Sequence, residues 1–455
     1  MNTFLFAFAL QCFLPLNISP GDFFGLSLVN RDLQSRDFTI TATSADGTTA
    51  QSGRVSLPGG GQRAVLLNEV LGTATPANGW VNVESPSSDC PVYSAIGSPD
   101  SLAGTDASGV LSMNVVLPQV EINTGFQELN HTDTFIAIVN PGSSSATVQV
   151  RLHALDGVVR GTAPISVPAR GSFTGRVSEM FASALPSNSV GGKTFQGYIR
   201  LNADQNIAAW HRIEMPLARA ILRGRAVEEI KSTSLAIIPH FVFGGTYGSF
   251  INLVNPTSAT VDLDLSAHDD RGNVIGEIIQ VRLAPGESRR SSVGEFFRVV
   301  IIQIFPPPVI TGYIRIRERQ GGAFQIVGDV EIVGLWQGAF QSAMLYPLSD
   351  TASRNWLLPF VTGSSEYFTG YAVANPNELL TVQTDVTVEV VDSGGTVRSS
   401  TTTSLSPRHH FATLVPSGVV SGYLRITANM PIHVLGSIGT RDERSLEQLP
   451  AIPYQ

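Results

Sequence analysis

A chain of 455 residues has room for about three or four domains. Only 15% of it is charged, against roughly 25% in average domains, while 43% is hydrophobic, a balance that suits many short strands each burying one face. The net charge of −8, with no basic stripe, excludes nucleic acid as an expected partner.

In chain order, Met1 to Leu16 (MNTFLFAFALQCFLPL) is the first apolar run. It is too short to cross a bilayer, so no transmembrane segment is expected there. Two readings stand: a signal-like start over 1–12, or a first strand that includes Phe13 to Leu16. The second rests on Leu14-Pro15, which precedes Asn30 much as Ile238-Pro239 precedes Asn255 and Leu358-Pro359 precedes Asn375.

Beyond that start the chain repeats itself. LVNRD (Leu28 to Asp32), IVNPG (Ile138 to Gly142), LVNPT (Leu253 to Thr257) and VANPN (Val373 to Asn377) put the same Asn at 30, 140, 255 and 375. A second marker, Gly plus an aromatic, occurs as Gly79-Trp80, Gly197-Tyr198, Gly312-Tyr313 and Gly422-Tyr423. Both recur with a period of about 110 residues, the size of a small β-domain rather than of a solenoid unit. The boundaries expected are 13–114, 115–234, 235–354 and 355–455.

Each repeat contains a hairpin. In repeat three Val261, Leu263, Leu265 and Ala267 alternate with polar residues, Asp269 to Gly272 turn, and Ile275 to Leu283 returns. Phe38, Ile40 and Ala42, then Val148, Val150 and Leu152, then Val386, Val388 and Val390 do the same elsewhere. Short helical turns are expected at Asn68 to Leu71, Ser178 to Phe181 and Gly294 to Phe297, and none in repeat four. About seven strands per repeat, with almost no helical periodicity, predict an all-β chain of four tandem antiparallel β-sandwiches. The short linkers predict a semi-rigid rod.

The Asn strand end, Gly-turn hairpin and Gly-aromatic strand resemble the tandem immunoglobulin-like repeats of large bacterial secreted or surface proteins. The resemblance spans all four repeats and implies an extracellular or cell-envelope, non-catalytic protein with a structural, spacer or adhesive role. The alternatives are a carbohydrate-binding accessory array, the non-catalytic part of a secreted hydrolase, or a hydrolase whose site is assembled from distant residues.

A search for chemistry finds no HExxH, GxSxG, P-loop or paired CxxC, so no catalytic residue, metal ligand or cofactor site is expected. His153 and His268 lie four residues before the turn glycine on the polar side of the alternation and read as solvated outer-face residues. Of Asp262, Asp264, Asp269 and Asp270, the first two lie on a strand face too straight to wrap a Ca²⁺ ion alone and are replaced by Gln149 and Arg151 or Thr387 and Glu389 in other repeats, and His409-His410 reads as an exposed loop.

The residues singled out as a possible interaction surface are Tyr198 with Arg200, Tyr313 with Arg315 and Arg317, and Tyr423 with Arg425. On an open sheet face they suit a sugar or another protein; otherwise the tyrosine bonds local backbone, as in a tyrosine corner. Trp80 departs from this pattern because indole has no acceptor. Ile301, Ile304 and Phe305 belong to an unusually apolar connection stopped by Pro306 to Pro308, a candidate contact between repeats or with another chain. Cys12 and Cys90 are the only cysteines and are placed to pair if the first and last strands of repeat one lie side by side.

Overall fold

The computed structural model describes residues 10–72, 75–85, 90–98, 101–125, 131–299, 308–336, 339–378, 382–419 and 421–454. Among these residues it is all-β, with antiparallel sheets and three short α-helices. Repeat one carries β1 (Leu10–Asn17), β2 (Phe23–Val29), β3 (Arg36–Ser44), β4 (Ala50–Leu57), β5 (Gln62–Leu66), α1 (Leu67–Leu71), β6 (Asn78–Ser85), β7 (Val92–Ser98) and β8 (Ser101–Asp106). They form two sheets, ordered β1-β6-β3-β4 and β5-β2-β7-β8. Leu14, Leu28, Phe38, Ile40, Val81 and Val92 meet between them, each fully buried.

Repeat two has β9 (Ser112–Asn123), β10 (Asp133–Val139), β11 (Ala146–Ala154), β12 (Val159–Val167), β13 (Ser172–Arg176), α2 (Val177–Met180), β14 (Thr194–Glu214), β15 (Arg219–Arg223) and β16 (Arg225–Ala226). Here one long strand replaces two: the first half of β14 lies between β9 and β11, and its second half between β10 and β15. Repeat three returns to separate strands, β17 (Leu235–Phe243), β18 (Tyr247–Val254), β19 (Val261–His268), β20 (Val274–Leu283), β21 (Ser288–Ser292), α3 (Val293–Phe296), β22 (Ile310–Glu318), β23 (Val327–Trp336) and β24 (Ala339–Pro347). Its sheets are β17-β22-β19-β20 and β21-β18-β23-β24.

Repeat four has β25 (Ser353–Leu358), β26 (Tyr367–Ala374), β27 (Thr384–Asp392), β28 (Val397–Leu405), β29 (His410–Leu414), β30 (Gly422–Thr440), β31 (Leu446–Leu449) and β32 (Ile452–Pro453). β30 is again a fused strand, pairing β25 and β27 and then β26 and β31. The helices fall where the sequence places them, and the inward side of each hairpin's first strand is buried as the alternation requires, while the return strands are buried only toward their ends.

The marker Asn holds each repeat's turns together. The Asn255 side-chain amide donates to the carbonyls of Ala259 (2.7 Å), Leu283 (3.0 Å) and Ala284 (3.1 Å), and its Oδ1 accepts from the Thr257 N–H. Asn30, Asn140 and Asn375 make matching sets, and all four are almost completely buried. Only a side chain with two donors and one acceptor on a short stem fits this place. Asn255→Ala leaves buried carbonyls unpaired and is expected to cost about 3 kcal/mol; Asn255→Asp, which removes the donors and adds charge, should cost at least as much. Urea denaturation of the full chain measures both, and an Asp variant as stable as wild type would refute the clamp.

Residues 10–17 are a strand, as the second reading of the N-terminal run has it, and Cys12 and Cys90 form a disulfide with Cα atoms 5.7 Å apart. The route to it differs from the sequence reading. β1 pairs with β6, while β7, which follows Cys90, pairs with β2 in the opposite sheet. The segment bearing Ile301, Ile304 and Phe305 lies outside the described residues.

The rod is not what forms. Repeat four packs on repeat one as each other repeat packs on its successor, so the four runs close into a ring. The Gln62 N–H donates to the Ser393 carbonyl and the Tyr423 hydroxyl to the Gly60 carbonyl. β8, β15, β24 and β31, edge strands of their sheets, meet one another around the middle. The direction the chain takes depends on which faces are sticky, and those faces lie at the junctions.

Candidate functional site

The two sequence markers turn out to be the two halves of one junction. In each repeat the aromatic of the Gly-aromatic pair donates a hydrogen bond to a backbone carbonyl in the turn before the fifth strand of the next repeat. The bonds run from Trp80 Nε1 to Arg170 (2.8 Å), Tyr198 to Gly286 (2.7 Å), Tyr313 to Arg408 (2.7 Å) and Tyr423 to Gly60 (3.1 Å). Every acceptor residue has positive φ, 53°, 76°, 62° and 70° respectively, the left-handed conformation that brings its carbonyl out toward the neighbour. Trp80 is therefore no departure, because the junction asks for a donor and indole supplies one.

A second bond accompanies each of these. The N–H groups of Ser172, Ser288, His410 and Gln62 donate to the carbonyls of Ala45, Leu155, Asp270 and Ser393, each two residues before a hairpin turn glycine. The residue preceding the marker Asn packs on the aromatic: Val139 with Trp80, Val254 with Tyr198, Ala374 with Tyr313 and Val29 with Tyr423.

This arrangement corrects the reading of several side chains. Tyr198, Tyr313 and Tyr423 are buried, so they are neither on an open face nor tied to local backbone. Burial pushes the Tyr198 and Tyr313 hydroxyls up to about 12. Arg315 is 4% exposed and reaches Glu378 at 2.6 Å, which Arg317 also contacts; Arg200 donates to the Pro256 carbonyl, and Arg425 pairs with Glu389 at 2.6 Å. The Glu378 carboxyl is held below its ordinary range by the two arginines despite partial desolvation.

The histidines are also covered. His153 stacks on Tyr198 with centroids 4.7 Å apart, and His268 on Tyr313 at 5.2 Å; each ring meets a carbonyl of its own turn, and burial lowers both pKa values. His410 is 2% exposed, with Nδ1 2.8 Å from Asp270 and Nε2 3.2 Å from His240. Alternation correctly put His153 and His268 on the outer side of their sheets; the outer side is covered by the next repeat. Asp262 faces Arg282, and Asp269 accepts from the Arg271 and Asn273 N–H groups of its own turn.

Buried ionisable groups that the sequence did not single out gather at the same junctions. Between repeats two and three, Arg290 donates to Glu121 and Glu331 at 2.6 Å each and to Asn252 at 3.2 Å. Asn252 in turn donates to Gln119 and Asp329, and Gln119 to Glu331. His211 stands 4.0 Å from Asp329, both with side chains wholly out of solvent. Burial raises Asp329 to about 7 and lowers His211 to about 3. Asp329 and Glu331 alternate with Val330 and Ile332 on β23, a pattern that in isolation reads as a solvated face.

Cavities also lie at the junctions, of about 20 Å³ between repeats one and two, 150 Å³ between two and three, 270 Å³ between three and four, and 390 Å³ between four and one. Glu447 lies at the last of these beside Tyr93, and its burial raises it to about 8.

Fold and junctions together define an all-β protein whose recurring motifs join strand-built units. No protein-family model matches the chain, and no curated protein matches it. Among solved structures, the BSP domain of a biofilm-associated protein aligns over 98% of this chain and 97% of its own at 7% identity, with a TM-score of 0.14. The VP2 subviral particle of infectious bursal disease virus aligns over 70% of this chain and 74% of its own at 8% identity, with a TM-score of 0.13. Neither likeness carries an argument at these scores. Among the described residues no helix is long and apolar enough to cross a membrane.

Proposed function

We propose that the chain is a non-catalytic repeat protein of the cell envelope or extracellular space, four immunoglobulin-like β-sandwiches closed into a ring, with a structural or adhesive role. The observation that carries this reading is the use of the motif residues. Asn30, Asn140, Asn255 and Asn375 and the four Gly-aromatic pairs are spent on turns and junctions. A rigid presenting body is what such repetition builds. The Cys12–Cys90 disulfide supports an oxidising compartment. Ring closure removes the reach that a spacer needs, so presentation of the outer faces is favoured over spacing.

The sugar-binding alternative calls for aromatics on an open sheet face. Among the described residues, the exposed large hydrophobic side chains, such as Leu33, Ile278 and Leu414, are aliphatic. The test has two arms. Protein on intact producing cells should be removed by added protease and should carry no free thiol before reduction. Purified protein should turn over none of a panel of ester, peptide, glycoside and phosphate substrates; saturable hydrolysis of any class would overturn the proposal.

A further inference from the structure

We propose that the cavity between repeats four and one binds a small organic amine cation with an apolar body. The chain links repeats one to two, two to three and three to four, so this is the junction without a direct linker. Its cavity of about 390 Å³ lies in the range that takes a small ligand. Phe23, Tyr93, Phe360 and Tyr367 supply aromatic wall, and the charged residues lining it, Glu69 and Glu447, are both acidic. In the corresponding cavity between repeats two and three Glu121 and Glu331 are already paired with Arg290, and the one between three and four has no carboxylate in its lining.

Glu447 is the anchor. It is 3% exposed, and the polar group beside its carboxyl is the Tyr93 hydroxyl. Gly104 leaves the space that the neighbouring Tyr93 ring occupies, since a Cβ there would fall 2.3 Å from the hydroxyl oxygen. A buried carboxyl with one neutral hydroxyl beside it is costly to ionise in an apolar wall, and an ammonium group offsets that cost with a charge-assisted hydrogen bond while the rings face the cation's positive charge.

The titratable groups that face Glu447 are Tyr93 on β7, whose hydroxyl is itself raised by burial, Glu69 on α1 and Tyr367 on β26. Because burial keeps Glu447 protonated in the empty cavity at pH 7, an entering ammonium displaces that proton to solvent and leaves an ammonium–carboxylate pair. Binding therefore releases about one proton at pH 7.

The probe is phenethylamine, titrated calorimetrically into the full chain, with 2-phenylethanol as the uncharged match and 3-phenylpropanoate as the anionic one. The amine should saturate one site about tenfold or more tighter than the alcohol, and the anion should show no binding. Titrations at pH 7 in buffers of different ionisation heat should report the released proton. Glu447→Gln should lose about tenfold or more affinity for the amine and leave the alcohol unchanged. Equal affinity for amine and alcohol, absence of a saturable site, or amine binding without proton release would each overturn the proposal. The wild-type measurements decide it alone should the variant fail to fold.

Discussion

Replacing Arg290 with methionine is expected to destabilise the chain by about 3 to 5 kcal/mol, among the larger effects a single substitution produces. The guanidinium is 7% exposed, bonds two carboxylates at 2.6 Å each, and lies over the Phe250 ring at 5.0 Å. Methionine fills much of the volume, so packing loss is small. What remains is a buried group of acids, Glu121, Glu331 and Asp329, without their cation.

The sign of the pH dependence separates this cause from simple packing. Without Arg290 the acids ease their repulsion by taking protons, so the deficit should shrink at pH 5 and grow at pH 8. Adding Glu331→Gln to Arg290→Met should recover a large part of the loss, a positive coupling in a double-mutant cycle. Urea denaturation at both pH values gives all of these quantities. A deficit independent of pH, with no recovery in the double variant, would reduce Arg290 to a packing residue.

How much of this was legible depends on the range over which each feature acts. The hairpin alternation at Val261 to Ala267 and the turn glycines act within ten residues, and both strand and burial follow from them. The marker Asn was visible as a repeat, though its reach to a turn 28 to 31 residues onward was not. The Gly-aromatic marker was seen on the correct side of its strand and given the wrong neighbour, because alternation reports a side and never what covers it. Asp329, Glu331 and Glu447 were missed for the same reason: their strands are ordinary until the next repeat lands on them. The fused strands β14 and β30 also escaped, since a corner and a continuous strand have the same periodicity.

Stability should peak near pH 6.5 and fall on both sides, through buried groups of opposite kind. His211, His240 and His433 are pushed down to about 3, in each case chiefly by burial. Their ordinary value is 6.5, so between about 3 and 6.5 the unfolded chain binds three more protons than the folded one. Asp329 and Glu447 work the other way. Burial raises them to about 7 and about 8, so above their ordinary values of 3.8 and 4.5 the folded chain holds protons that the unfolded chain has lost.

From pH 4.5 to 6.5 the histidines prevail by one proton, and stability rises by roughly 3 kcal/mol. From 6.5 to 8 only the carboxyls act, and it falls by a similar amount, roughly 3 kcal/mol. His153 and His268, lowered by partial burial, steepen the acid side in the same direction. Asp329→Asn combined with Glu447→Gln should remove most of the alkaline fall and make the acid fall about three times steeper, because the two carboxyls raised furthest no longer offset the histidines. Melting or urea midpoints taken from pH 4.5 to 8.5 measure both profiles. A wild-type profile flat between 6.5 and 8, or an alkaline fall that survives undiminished in the double variant, would show that these carboxyls are not the buried protonated groups the junctions make them.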